Sequence, residues 1–105
     1  MSRPEQWDEA GFREAVRSGT VLADFYSEWC GPCKLQAKTL EEMADEIPGT
    51  VRVGKVDVEA APAIAAEYGV ISIPTLILVK DGAVAETHVG LCGREPLLAM
   101  LKKHL

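Results

Sequence analysis

The chain has 105 residues, of which 48% are hydrophobic and 26% charged. That length suits one domain, 1–105, able to bury a core, and the composition excludes a disordered chain. Eleven Lys and Arg against sixteen Asp and Glu leave a formal charge of −5, which argues against nucleic acid or a membrane surface as partner.

In chain order, Asp8 is a candidate N-cap for a first helix that carries Phe12, Ala15 and Val16 on one side and closes at Gly19. Only Ser2 to Gln6 precede it, so an N-terminal edge strand is expected to be short or absent. Val21–Tyr26 is an apolar run that alternates poorly, as in a strand covered on both faces. A long helix follows, with Pro32 near its start and Leu40, Met43, Ala44 and Ile47 on its buried face. It is stopped by Pro48-Gly49. Val51–Val58 reads as a β-branched strand, and Ala61–Tyr68 as a short helix closed by Gly69. Thr75–Val79 and Val84–Val89 read as strands joined by an Asp81-Gly82 hairpin turn. In the second of these, His88 reads as an exposed residue alternating with an inward Val89. Gly93 opens a last helix with Leu97, Leu98 and Leu101 facing inward and with Lys102, Lys103 and His104 in its final turn. A helix between the first two of these strands requires them to be parallel, and the hairpin is antiparallel. The fold class is therefore α/β, a mixed sheet flanked by four helices.

No apolar run reaches the ~20 residues that span a bilayer, and the first twenty residues show no secretory signal. The three cysteines are an odd number, and Cys30 and Cys33 form a close pair far from Cys92. This pattern favours a reducing compartment, the cytoplasm, and a catalytic or metal role for the pair. Cys30-Gly31-Pro32-Cys33 lies where a strand turns into a helix. Unpaired N–H groups of the first helical turn favour negative charge on Cys30, and the thiolate is the nucleophile of disulfide exchange. The i, i+3 spacing brings Cys33 to the same face, Gly31 permits the tight turn, and Pro32 fixes φ there.

Trp29-Cys30-Gly31-Pro32-Cys33 resembles the active-site motif of the thioredoxin family. Asp24-Phe25, Lys55-Val56-Asp57, Ile73-Pro74-Thr75, Asp81-Gly82 and Val89-Gly90 resemble the family's other landmarks in order and spacing, so the likeness runs from about residue 7 to 105. It implies a thioredoxin fold and a protein-disulfide reductase. It also implies that Cys30 is the attacking cysteine, Cys33 the buried resolving one, Asp24 a buried carboxylate beneath the dithiol, and Lys55 a lysine near that carboxylate. Pro74 would be a cis-proline beside the cysteines. Trp29, Val58, Ile73, Val89 and Gly90 would form, with it, the apolar rim where an extended substrate chain docks. Two departures stand out: Lys38 occupies a position midway along the helix where the family usually has proline, and Tyr26 stands where many relatives have Trp.

Asp24 interrupts an apolar strand, which independently supports burial, and burial without a partner would raise its pKa and suit it to take the Cys33 proton. No cofactor motif is present, so a thioredoxin reductase or equivalent electron donor is expected to regenerate the dithiol, with disulfide-containing proteins as substrates and the chain itself a monomer. Rival readings remain for several residues. The cysteine pair could be half of a zinc site completed from Cys92, His88 and His104, or a purely structural disulfide. Asp24 could be satisfied by backbone donors, and Lys55 could be a solvated strand lysine. Cys92 could be a small buried hydrophobe, stapled to Leu97 across the Gly93 cap, or a redox thiol. Trp7 reads as packing, and Glu41, Glu42, Asp45 and Glu46 as a solvated helix face. For the whole chain, a thioredoxin-fold binding subunit with a dispensable dithiol and a disulfide oxidant or isomerase are the alternatives to a reductase.

Overall fold

The computed structural model describes residues 4–105. A three-residue strand, β1 (Glu5–Trp7), opens it. The edge strand is thus short but present; Ser2, at the far end of the lead-in, lies outside the described residues. Helix α1 (Glu9–Ala15) starts at Asp8, whose carboxylate accepts the Gly11 N–H at 2.7 Å. There follow β2 (Thr20–Tyr26), α2 (Gly31–Glu42), β3 (Val51–Asp57), α3 (Pro62–Glu67), β4 (Thr75–Lys80), β5 (Ala83–Val89) and α4 (Arg94–Lys103). The strand order is β1-β3-β2-β4-β5. β1, β3 and β2 run parallel, while β4 and β5 are antiparallel to their neighbours.

Alternation along β2 sorts the core into two layers. Val21, Ala23 and Phe25 join Phe12 and Ala15 of α1, Val16 at its C-cap and Ile64 of α3 on one face. Leu22 joins Leu40 of α2, Met43 at its C-cap and Leu97, Met100 and Leu101 of α4 on the other. Strands β2 and β4 are covered on both sides, which is why their sequences are nearly unbroken apolar runs. The hairpin turn has positive φ at both Asp81 (49°) and Gly82 (86°), the left-handed pair that matches strand twist in a two-residue loop.

Three expectations are corrected. The long helix does not run through to Ile47: α2 ends at Glu42 and is followed by one 3-10 turn, Ala44–Glu46. Pro48 bars Ile47 from helical backbone, and Ile47 is extended at φ −86°, ψ 123°. The tighter turn still buries Met43 and Ile47 but leaves Ala44 only half-buried. In β5, Val89 is not inward; it is 63% exposed, and His88 is half-buried. The cause is a bulge: Leu78 pairs with Glu86 and Val79 with Val84, so Ala85 is the extra residue and the alternation flips there. His104, expected as a plain last-turn residue, caps α4 and its ring nitrogen lies 2.9 Å from Glu86 of β5.

On the opposite edge, Trp7 is buried against Phe12 in an edge-on ring contact, as its packing role predicts. Its indole lies over Gly54 of β3 so closely that a Cβ there would overlap the ring. The Arg52 guanidinium also lies over the indole, 5.7 Å from its centre, and grips Glu5 with two bonds of 2.6 and 2.8 Å.

Candidate active site

Cys30 is the N-cap of α2, extended at φ −88°, ψ 108°, and its Sγ accepts the Cys33 N–H at 3.2 Å. Gly31 and Pro32 fill the exposed first turn and bring the two Cα atoms to 5.2 Å, where the sulfurs are joined as a disulfide. The two cysteines are unequal. Cys30 is half-buried at the surface, whereas Cys33 is 2% exposed.

Asp24 is completely buried in β2, on the same face as Leu22 and hence toward α2. Neither of its carboxylate oxygens receives a hydrogen bond from the described residues, so the reading in which backbone donors satisfy it is excluded. Burial pushes its pKa up to about 7, and the Lys55 ammonium acts against that rise. Lys55 is paired with Asp24 in the β2–β3 register and is not a freely solvated strand lysine: its Nζ sits 4.3 Å from the centre of the Tyr26 ring. A cavity of about 270 Å³ is lined by Tyr26, Ser27, Cys33, Lys38 and Lys55 among others, so it reaches the buried member of the cysteine pair.

The rest of the expected site gathers at this same end of the sheet. The Ile73–Pro74 bond is cis. The buried Pro74 gives its carbonyl to the Gly90 N–H at 2.8 Å, so the start of β4 and the end of β5 are held together there. Gly90 needs its positive φ of 92° to turn the chain at this point. Val58 donates its N–H to the Tyr26 carbonyl at 2.9 Å, is half-buried and packs on the core. Ile73 is half-buried. Trp29 is 76% exposed, with its indole N–H given to Glu59 at 2.7 Å. Cys92 is fully buried in the same core cluster as Leu97, which supports the staple across Gly93, and burial raises its thiol pKa. Among the described residues no group of three His, Cys, Asp or Glu side chains is placed to hold a metal ion.

Three residues escaped the sequence reading. Ile71, almost wholly exposed, and Leu91 add apolar surface beside Pro74 and Gly90 in the chain. Gln36 is fully buried one helical turn after Cys33. Its spacing from Cys33 and Leu40 places it on the inner face of α2, a signal that periodicity could have supplied.

The thioredoxin family model matches residues 4–103. The chain belongs to the thioredoxin family. It is 47% identical to a thioredoxin of Chlamydia muridarum over 93 residues, covering 89% of this chain and 90% of that relative. With a thioredoxin of Bacillus subtilis it shares 44% identity over 97 residues, or 92% and 93% of the two chains. The structure of a mutant thioredoxin from Halobacterium salinarum superposes with a TM-score of 0.86 at 33% identity, covering 97% of this chain and 90% of that one. Thioredoxins are protein-disulfide oxidoreductases, and the Cys30–Cys33 pair in its Cys-X-X-Cys turn makes this chain a dithiol–disulfide reductase of the thioredoxin fold. The thioredoxin family also implies disulfide-bearing substrates and a reductase partner. No helix among the described residues is long and apolar enough to cross a membrane.

Proposed function

We propose that the chain works as a single-domain, monomeric cytoplasmic reductant in which Cys30 is the nucleophile and Cys33 the resolving cysteine. The observation that carries this reading is the unequal exposure of one bonded pair: Cys30 at the surface with an N–H aimed at its sulfur, Cys33 buried behind it. In the reduced form the Cys30 thiolate attacks one sulfur of a substrate disulfide. A mixed disulfide forms, and the other substrate sulfur leaves as a thiolate and takes up a proton. Cys33 gives its proton to Asp24, and its thiolate then attacks the Cys30 sulfur. The Cys30–Cys33 disulfide forms and the second substrate sulfur leaves as a thiol once protonated. Two electrons have passed from the dithiol to the substrate. A thioredoxin reductase or equivalent donor returns them.

Asp24 serves as proton acceptor because a neutral carboxyl and a carboxylate are both accessible near pH 7. Lys55 biases that acceptor toward its charged form. Gly31 and Pro32 shape the turn. Trp29, Val58, Ile73, Pro74, Val89 and Gly90 form the docking rim for an extended substrate chain.

Cysteine replacement tests the assignment. Cys30→Ser should abolish insulin-disulfide reduction, and Cys33→Ser should retain a covalent substrate adduct on Cys30, seen by mass spectrometry. An adduct on Cys33 in the Cys30→Ser protein would reverse the two roles, and a physiological activity that survives both replacements would instead favour a binding subunit.

A further inference from the structure

The side chain of Gln36 exchanges two hydrogen bonds with the backbone of a single distant residue. Its Nε2 donates to the Cys92 carbonyl at 3.0 Å, and its Oε1 accepts the Cys92 N–H at 2.8 Å. One amide thereby does for Cys92 what a neighbouring strand would do, satisfying both of its buried backbone groups. Gln36 is fully buried, as is Cys92, so neither bond competes with water. The residue lies three positions beyond Cys33 on α2, and Cys92 lies two beyond Gly90. The segment between Val89 and Gly93 is therefore held from two sides: by the Pro74 carbonyl at Gly90 and by the Gln36 amide at Cys92.

We infer that Gln36 is a positioning residue that fixes the Val89–Leu91 rim at a set distance from the Cys30–Cys33 pair. The inference rests on the reading of that rim as the docking surface. Its logic is mechanical. Val89 and Leu91 are exposed, and β5 is an edge strand, so no further strand steadies them from outside. Core packing anchors the Cys92 side chain, but packing is non-directional and tolerates sliding. Two opposed hydrogen bonds from a helix do not. An extended substrate that touches the rim while its sulfur meets Cys30 needs both at once in register, whereas a small disulfide needs only the dithiol.

Gln36→Met keeps the side chain's length and removes both bonds. With oxidised insulin as substrate and dithiothreitol as donor, KM should rise about tenfold while kcat changes by less than about twofold, the mark of lost ground-state positioning. The rate with hydroxyethyl disulfide, and the reduction potential of the Cys30–Cys33 pair, should stay at their native values. Should Gln36→Met fail to fold, Gln36→Leu carries the same test, since it too removes both bonds while leaving an apolar side chain in the buried site. Val89→Asp is the control on the rim itself. If Val89→Asp raises KM for insulin and the Gln36 variants do not, the inference falls and the rim stands. If Val89→Asp leaves KM unchanged, the rim reading fails and takes the inference with it. A parallel loss of rate on insulin and on hydroxyethyl disulfide would also overturn it, because Gln36 would then act on the dithiol rather than on docking.

Discussion

Asp24 is a destabilising residue in the fold. Its carboxyl ionises at about 7 in the native protein, against 3.8 for the ordinary group, chiefly because burial disfavours the charge. Between those two values the native state holds a proton that the unfolded chain releases. Stability therefore falls as pH rises through that window and is flat above it. The gap amounts to about 4 kcal/mol at ~1.4 kcal/mol per pH unit. Asp24→Asn should remove the dependence. Its advantage over the native chain should be small at pH 4, grow up to pH 7 and then level off, as read by denaturant unfolding at a series of pH values. Turnover at neutral pH should fall because the proton acceptor is gone. Equal stability of the two proteins at pH 8 would show that the carboxyl is hydrated. The burial of Asp24 was legible in the sequence because a lone carboxylate broke an apolar strand. The role of Gln36 was not, because its partner lies 56 positions away and no local pattern announces it.

Helix α2 shows where local reasoning holds and where it stops. Its start was legible, since the cap, the proline and the i, i+3 cysteines are all within one turn. Its end was not, since the apolar spacing that signals a buried face continues past Glu42 although the backbone has already tightened ahead of Pro48. β5 failed for a related reason: alternation assumes a regular ladder, and the bulge at Ala85 is set by pairing with β4. The cis bond before Pro74 was expected only through family resemblance. Lys38, the departure from the family's usual proline, lies inside an unbroken α2 on an exposed face. Proline there removes a helix hydrogen bond and presses on the preceding turn, a cost of ~3 kcal/mol or more in a helix interior. Lys38→Pro should therefore bend α2, lower the melting temperature and leave insulin reduction within a few-fold, because the cysteine turn lies upstream. A variant that melts higher than the native chain would contradict this.

At the scale of the whole molecule, the layered arrangement with four helices followed from the order of elements, and the residues of both core layers were mostly readable as apolar faces. The first strand could be expected only as short or absent, because three residues carry too little pattern, and what holds β1 is tertiary: the Trp7 indole laid on Gly54 and the Arg52 grip on Glu5. Gly54→Ala should displace that indole and cost about 1–3 kcal/mol in denaturant unfolding, as overpacking does. Combined with Trp7→Leu the two losses should be less than additive; full additivity would mean that the alanine is accommodated elsewhere. The same short strand has a counterpart at the opposite border, where β5 carries its bulge. An open sheet is a template for any unpaired strand it meets, and long flat borders seed aggregates. With one border only three residues long and the other kinked at Ala85, the sheet offers an unpaired foreign strand little continuous edge on which to add, and so little seed for a fibril.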